Sequence, residues 1–156
     1  MTLKLNPEHL QIIYTHAENT YPEECCGVML GYLDDESKTV VEVIPTANAW
    51  NTEAENFAEV NTKHSHKDRY AIAPQTMLQL QREARSRSLS IIGIFHSHPD
   101  HPAVPSECDR LYAWPLYSYI IVSVINGKAS ELLSWSLNEH HQFEAEAIAH
   151  LNLSNS

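Results

Sequence analysis

The sequence predicts an α/β fold built as one domain, and three observations carry that reading. Stretches with apolar residues at helical spacing alternate along the chain with short, apolar, strand-like runs. The length of 156 residues suffices for one domain with a proper core and is too short for two ordinary ones. Apolar residues form 43% of the chain, which places it with globular and not with disordered proteins.

The elements follow in order. "LNPEHLQIIYTHAENT" reads as a helix, with Asn6 as its N-cap, Pro7 at the first helical position, and Leu10, Ile13, Tyr14 and Ala17 on one face. Pro22 in "YPEE" ends it. "CGVMLGYL" reads as a short buried strand, "DDES" as a turn, and "KTVVEVIP" as a second strand ending at Pro45. Residues 46–73 are polar and weakly periodic, and predict a long irregular loop with short strands at "NFAEV" and "RYAI". "APQTMLQLQREARSRS" is a second helix, opened by Pro74, with Met77, Leu80, Gln81 and Ala84 on one face. "LSIIGIF" is an apolar strand bounded by the polar "HSHPDHP", and "SECDRLYAW" is a short third helix before Pro115. "YSYIIVSVI", "NG" and "KASELLSWSL" form a strand, a hairpin turn and a returning strand. In the tail, Phe143, Ala145 and Ala147 alternate with Glu144 and Glu146, which reads as strand although Ala and Glu favour helix.

Bulk chemistry excludes several function classes. A formal net charge of −10 argues against a nucleic-acid surface, which needs clustered Lys and Arg to meet phosphates. The start "MTLKLNPEHLQIIYTHA" has no basic stretch leading into an apolar one, and the longest apolar run, near "YIIVSVI", is too short to cross a bilayer. A cytoplasmic protein without membrane contact is the expectation. Three cysteines, Cys25, Cys26 and Cys108, form neither a disulfide framework nor a CxxC zinc half-site.

Two "HSH" triplets stand out. In the second, His96 and His98 are spaced i, i+2 at the end of an apolar strand, so both rings point to one face about 6.5–7 Å apart. Asp109 lies eleven residues beyond His98, across a loop stiffened by Pro99, Pro102 and Pro105 that can fold the chain back. Two His and one carboxylate with an open fourth position is the ligand set of a catalytic zinc. The same letters also fit a solvated His pair followed by a capping box, with Ser106 and Asp109 capping each other. Cys108 reads as an ordinary buried Cys, Trp114 and Tyr117 as core residues in preference to a lining of the site, and His101 as a surplus imidazole outside the ligand set. The first triplet, His64 and His66, has Lys63 and Lys67 beside it and no apolar strand before it, and reads as a solvated loop, the alternative being a substrate-gripping insertion or an adventitious metal site.

These residues carry a resemblance. "HSHP", with seven residues between His98 and Ser106, and then "SECD" is similar to the signature of the JAMM (MPN-plus) zinc metallopeptidases. That signature also has an upstream Glu in a context like "PxExxG", and "YPEECCG" supplies Glu24 at the matching position, with Glu23 adjacent to it. "RYAIAPQTMLQLQREAR", "HPDHPAVPSECDRLYAWPLYSYIIVSV" and "SWSLNE" resemble the prokaryotic branch, so that the likeness spans about residues 3–145. It implies a single MPN/JAMM-type domain over residues 1–156, with a mixed curved sheet flanked by helices. It implies Zn2+ held by His96, His98 and Asp109, Glu24 as the general base acting on water, and Ser106 as a hydrogen-bond donor to the oxyanion. The implied reaction is hydrolysis of an amide bond after the C-terminal Gly-Gly of a small ubiquitin-like sulfur-carrier protein. The larger insertions of the eukaryotic deubiquitinases are absent, which disfavours polyubiquitin chains. Non-catalytic MPN-type scaffolds are the alternative, but those relatives lose ligands that this chain keeps. A nucleoside deaminase needs a "PCxxC" half-site, and an amidohydrolase barrel needs roughly 250 residues.

Overall fold

The computed structural model describes residues 1–50 and 69–151. Within them lie β1 (Thr2–Leu5), α1 (Pro7–Thr20), β2 (Cys26–Leu33), β3 (Ser37–Thr46), α2 (Pro74–Ser86), β4 (Ser90–Pro99), α3 (Glu107–Leu111), β5 (Ser118–Ile125), β6 (Lys128–Leu137) and β7 (Phe143–His150). The strands form one mixed sheet in the order β1-β3-β2-β4-β5-β6-β7, closed into a barrel. β1 makes the closure by pairing in parallel with both β3 and β7. β4 and β5 are also parallel, and the chain between them carries α3. The α/β class is as the residues predict, and the mixed curved sheet with flanking helices is as the family resemblance implies.

Local chemistry explains most boundaries. The Asn6 side chain accepts from the His9 backbone N–H at 2.9 Å, and the Asn6 N–H reaches His9 Nδ1 at 3.1 Å, so α1 starts with a reciprocal cap. The hairpin between β5 and β6 turns on Asn126 and Gly127, both at positive φ (51° and 84°), which matches the twist of the flanking strands. At Gly27, in β2, a Cβ would lie 2.3 Å from the Phe95 ring, so only glycine lets β2 close over that side chain.

The sheet separates two apolar clusters. One holds Leu3, Leu5, Val40, Phe95, Ile120 and Val122 together with Ile13 and Ala17 of α1. The other holds Val28, Leu30, Ile94 and Tyr119 with Ala84 of α2, while Met77 and Leu80 pack against it half-buried. Gln81 of the predicted α2 face stays exposed at the rim, where it meets the Tyr117 hydroxyl. β4 lies between β2 and β5 and is buried on both faces, which is why it reads as an unbroken apolar run. Side chains alternate along it. Phe95 and Ser97 therefore face the α1 side, and Ile94, His96 and His98 face the α2 side.

Three readings change. β1 is not anticipated: Leu3 and Leu5 alternate with Thr2 and Lys4, but four residues carry too little pattern to stand apart from the helix that follows. "RYAI" is not a strand. Its backbone bonds instead to Asn48 and Ala49: Ala71 N–H reaches Asn48 Oδ1 (3.1 Å), Asn48 Nδ2 donates to Arg69 O (2.9 Å), and Ala49 N–H donates to Ala71 O (2.8 Å). β4 runs on through Pro99, past the predicted strand end at Phe95, so His96 and His98 share its side-chain alternation as their spacing predicts. The predicted strand at "NFAEV" and the His64/His66 triplet fall outside the described residues.

Candidate metal centre

β4 delivers two imidazoles to one point. His96 Nε2 and His98 Nε2 lie 3.1 Å apart. Asp109 completes the triangle, with Oδ1 at 3.3 Å from His96 Nε2 and Oδ2 at 3.3 Å from His98 Nε2. Among the described residues, these are the groups of three or more His, Cys, Asp or Glu side chains close enough to share an ion. The fit to zinc can be tested on the edges. A tetrahedral ion with bonds of about 2.0–2.1 Å needs its ligand atoms about 3.3–3.4 Å apart. The two nitrogen–oxygen distances fall at that spacing, each to a different oxygen of the carboxylate, the nitrogen–nitrogen distance is slightly shorter, and a nitrogen, nitrogen and oxygen set is one that zinc takes.

The return from β4 to Asp109 is tied down residue by residue. Asp100 N–H donates to Val124 O at 2.7 Å, and its carboxylate accepts from Asn126 N–H (2.9 Å) and from the Tyr21 hydroxyl (2.6 Å). Ser123 Oγ donates to His101 O at 2.6 Å, and Trp135 Nε1 donates to Ala103 O at 3.0 Å. The loop so held presents Pro102 O to His98 Nδ1 at 2.8 Å. A carbonyl can only accept, so Nδ1 carries the proton and Nε2 keeps its lone pair for a metal. His101 itself is exposed and outside the cluster.

Both readings of "SECD" hold at once. Ser106 Oγ accepts from Asp109 N–H at 3.0 Å, and Ser106 N–H donates to Asp109 Oδ2 at 2.8 Å. The capping box thus fixes the carboxylate that faces the two rings, and the Ser106 hydroxyl, used there as an acceptor, still has a proton to donate. Burial works against the Asp109 carboxylate, yet its contacts with His96 and His98 win and hold its pKa well below the usual range. Burial pushes His96 below the ordinary histidine value, outweighing the upward pull of Asp109, so the ring is neutral as a ligand must be.

Glu24 comes from the other side of β4. Cys26 of β2 pairs with His96, and beyond the strand Ser97 N–H still donates to Cys25 O (3.2 Å) while Ser97 Oγ accepts from Cys25 N–H (2.8 Å). Continuing that register sets Glu24 opposite His98, on the same face. Glu24 is 6% exposed, whereas Glu23 points to solvent. Asn48 holds the Glu24 backbone, its Nδ2 donating to Glu24 O at 3.1 Å. The Tyr70 phenol lies within electrostatic range of both Asp109 and Glu24, and after burial these charges add to what keeps it protonated. Burial drives the neighbouring thiols up, Cys25 to about 12 and Cys26 to about 11, so neither is a thiolate ligand or nucleophile at neutral pH.

A cleft of about 180 Å³ opens beside Asp109, walled largely by Trp50, Tyr70, Ile72, Ile94 and Trp114. Two expectations are corrected here. Trp114 is not core but 66% exposed, because it follows the end of α3 with its N–H fixed on the Tyr119 hydroxyl at 2.6 Å. Cys108 is only half-buried and lines the cleft. Tyr117 does pack against the α2-side core. Asn48, Tyr70, Ser97, Ser123 and Trp135 escape the sequence reading altogether. Ser97 alone had a visible signal, as the middle letter of "HSH".

Against known proteins, the family described as prokaryotic homologs of the JAB domain matches residues 6–138. The chain belongs to this family. The desampylase of Haloferax volcanii is 32% identical over 103 residues, covering 65% of this chain and 63% of that protein. The desampylase of Pyrococcus furiosus is 31% identical over 81 residues, covering 51% of this JAB-domain chain and 54% of its relative. Human Lys-63-specific deubiquitinase BRCC36 is 27% identical over 122 residues, covering 67% of this chain and 39% of the deubiquitinase. The chain thus spans less than two thirds of each of these relatives. Among solved structures, a Salinibacter ruber protein matches with a TM-score of 0.69 at 29% identity, covering 96% of this chain and 92% of its own. A Desulfitobacterium hafniense protein matches in fold with a TM-score of 0.74 at 24% identity, covering 96% and 93%.

Proposed function

We propose that this JAB-domain protein is a zinc metallopeptidase that hydrolyses the amide bond after the C-terminal Gly-Gly of a small ubiquitin-like sulfur-carrier protein. The observation that carries the reading is the triangle of His96 Nε2, His98 Nε2 and Asp109, with edges of 3.1–3.3 Å, flanked by a buried Glu24. The relatives named desampylase and deubiquitinase support an isopeptidase acting on ubiquitin-like proteins. The narrower choice of a sulfur carrier rests on the resemblance of the sequence to the prokaryotic branch.

His96, His98 and Asp109 would hold the ion, which when bound supplies a Lewis acid and a water acidic enough to ionise near pH 7. Glu24 takes a proton from the attacking water and hands it to the departing amine as the C–N bond breaks. Its burial on the face of His98 keeps the carboxylate close to where the substrate carbonyl must sit. Ser106 donates its hydroxyl proton to the carbonyl oxygen as negative charge builds there, while Asp109 N–H holds the Oγ in place. The apolar cleft beside Asp109 excludes water from one side of the reacting bond.

The test is hydrolysis of ubiquitin-like carriers bearing a C-terminal extension beyond Gly-Gly, with products read by mass. The zinc-loaded protein should release a carrier ending in Gly-Gly. Glu24→Gln should keep one zinc per chain and lose turnover by about 10²–10⁴-fold. Turnover unchanged in Glu24→Gln removes the base from this scheme. A zinc-loaded protein that cleaves no carrier would point to a binding scaffold instead.

A further inference from the structure

The two ring ligands are oriented by different means. His98 has the hydrogen bond that metal-binding imidazoles usually have, from Nδ1 to Pro102 O. His96 has none: its Nδ1 is buried and no described group lies within hydrogen-bond reach of it. What touches the His96 ring instead is Tyr70, stacked on it with centroids 4.4 Å apart and planes 22° from parallel. Tyr70 is itself held from both sides. The Asn48 carboxamide donates to Arg69 O and accepts from Ala71 N–H, which clamps the residues before and after it. The same Asn48 Nδ2 also donates to Glu24 O, and Asn48 Oδ1 accepts from Trp50 N–H at 3.1 Å, so all four hydrogen-bonding positions of this side chain serve the wall of the site.

We infer that Tyr70 is a positioning residue for His96, its ring doing by stacking what Pro102 O does for His98 by hydrogen bonding. The inference rests on the metallopeptidase reading for its consequence, because the ring so held is one of the three proposed ligands. A ligand ring without a hydrogen bond can swing about its side-chain torsions. A flat aromatic surface clamped at 4.4 Å restricts that swing and keeps Nε2 aimed at the point shared with His98 and Asp109. The role needs a planar ring and not a hydroxyl, which makes it separable from any polar contact of the phenol.

The test compares Tyr70→Phe, Tyr70→Leu and Tyr70→Met in the full chain, with folding checked by circular dichroism. Zinc affinity is read by competition with a chromophoric chelator, and the imidazole nitrogens by long-range ¹H–¹⁵N NMR without metal. Tyr70→Phe should bind zinc within about twofold of the parent. Leu and Met, which keep apolar bulk but no flat ring, should weaken it about three- to tenfold, the worth of an aromatic contact. In those two variants the His96 ring signals should shift or broaden while those of His98 stay in place. Parent-like affinity and an unchanged His96 signal in whichever of the two folds would overturn the inference, as would an equal loss in Tyr70→Phe. If the parent protein itself binds no zinc, the metallopeptidase reading fails separately, and the ring signals still decide the role of Tyr70.

Discussion

Two buried polar clusters lie on opposite faces of the same sheet, and they are built to opposite ends. On the barrel side, Lys38 Nζ donates to Ser118 Oγ at 2.8 Å and lies 3.9 Å from Glu146 Oε2, while Ser134 Oγ donates to Glu146 Oε1 at 2.9 Å. On the α2 side, His96 Nε2 and His98 Nε2 lie 3.1 Å apart, and each lies 3.3 Å from one oxygen of the Asp109 carboxylate. The first cluster contains its own cation, the Lys38 ammonium. The second holds no Lys or Arg, and with the His98 Nδ1–H donated to Pro102 O, the Nε2 lone pair of His98 faces the Asp109 carboxylate. Two imidazoles and a carboxylate that converge without a Lys or Arg between them are what a cation site looks like. A set with its charge already balanced is structural.

The largest expected effect breaks the open cluster. His98→Ala or Asp109→Ala should lose tightly bound zinc and, with it, turnover by at least about 10³-fold, since metal and reacting water depart together. Metal analysis after dialysis checks this, and one zinc per chain retained in either variant would show that the ligands lie elsewhere. In the metal-free protein, Asp109→Ala also removes the side-chain contact to Ser106 N–H that closes the cap, and should cost about 1 kcal/mol in urea unfolding.

The closed cluster should respond the other way. Lys38→Met strands Glu146 at a site where both side chains are almost fully buried, 6% and 1% exposed, and should cost about 3–5 kcal/mol in urea unfolding. Turnover per folded molecule should be unchanged. Lys38→Met with Glu146→Leu should recover much of the stability, because the stranded charge is gone. Lost turnover without lost stability would mean that the barrel-side pair reaches the site, and the contrast would fail.

A smaller effect sharpens the contrast through a histidine satisfied by its own chain. His9 Nδ1 meets Asn6 N–H at 3.1 Å and Nε2 meets Val41 O at 3.2 Å, so the neutral ring closes the α1 cap. Burial lowers the His9 pKa below 6.5, with Val41 and Glu8 pulling partly back. As pH falls below 6.5 toward that lower value, the unfolded chain binds a proton that the folded chain does not. The His9 contribution is therefore present above pH 6.5 and is lost through the window below it. Urea titrations at pH 7.5 and 5.5 with chelator present should show a steeper acid loss for the parent than for His9→Gln. Equal slopes would remove His9 from the acid response.

Much of this was legible residue by residue. Asn6 and Pro7 marked the start of α1, Asn126 and Gly127 marked the hairpin, and the apolar run before His96 marked the central strand, because each is a short-range constraint of backbone geometry or burial. The residues that support the site were not legible. Trp135 acts through Ala103, Ser123 through His101, and Asn48 through four backbone groups at once. None of these contacts has a period or spacing in the chain, since each joins segments that meet only after the sheet forms.

The sequence by itself determined the fold class, the placement of His96 and His98 on one face of a strand, and the cap that joins Ser106 to Asp109. These depend on side-chain alternation and on bonds across three residues. Only the tertiary structure decided that β1 closes the barrel, that Glu24 and not Glu23 is the buried carboxyl on the His98 face, and that Tyr70 lies flat on His96. Those outcomes are set by strand register and by packing between distant segments. A shift of one residue in the β2–β4 register would turn Glu24 to the other face without altering a letter of the sequence.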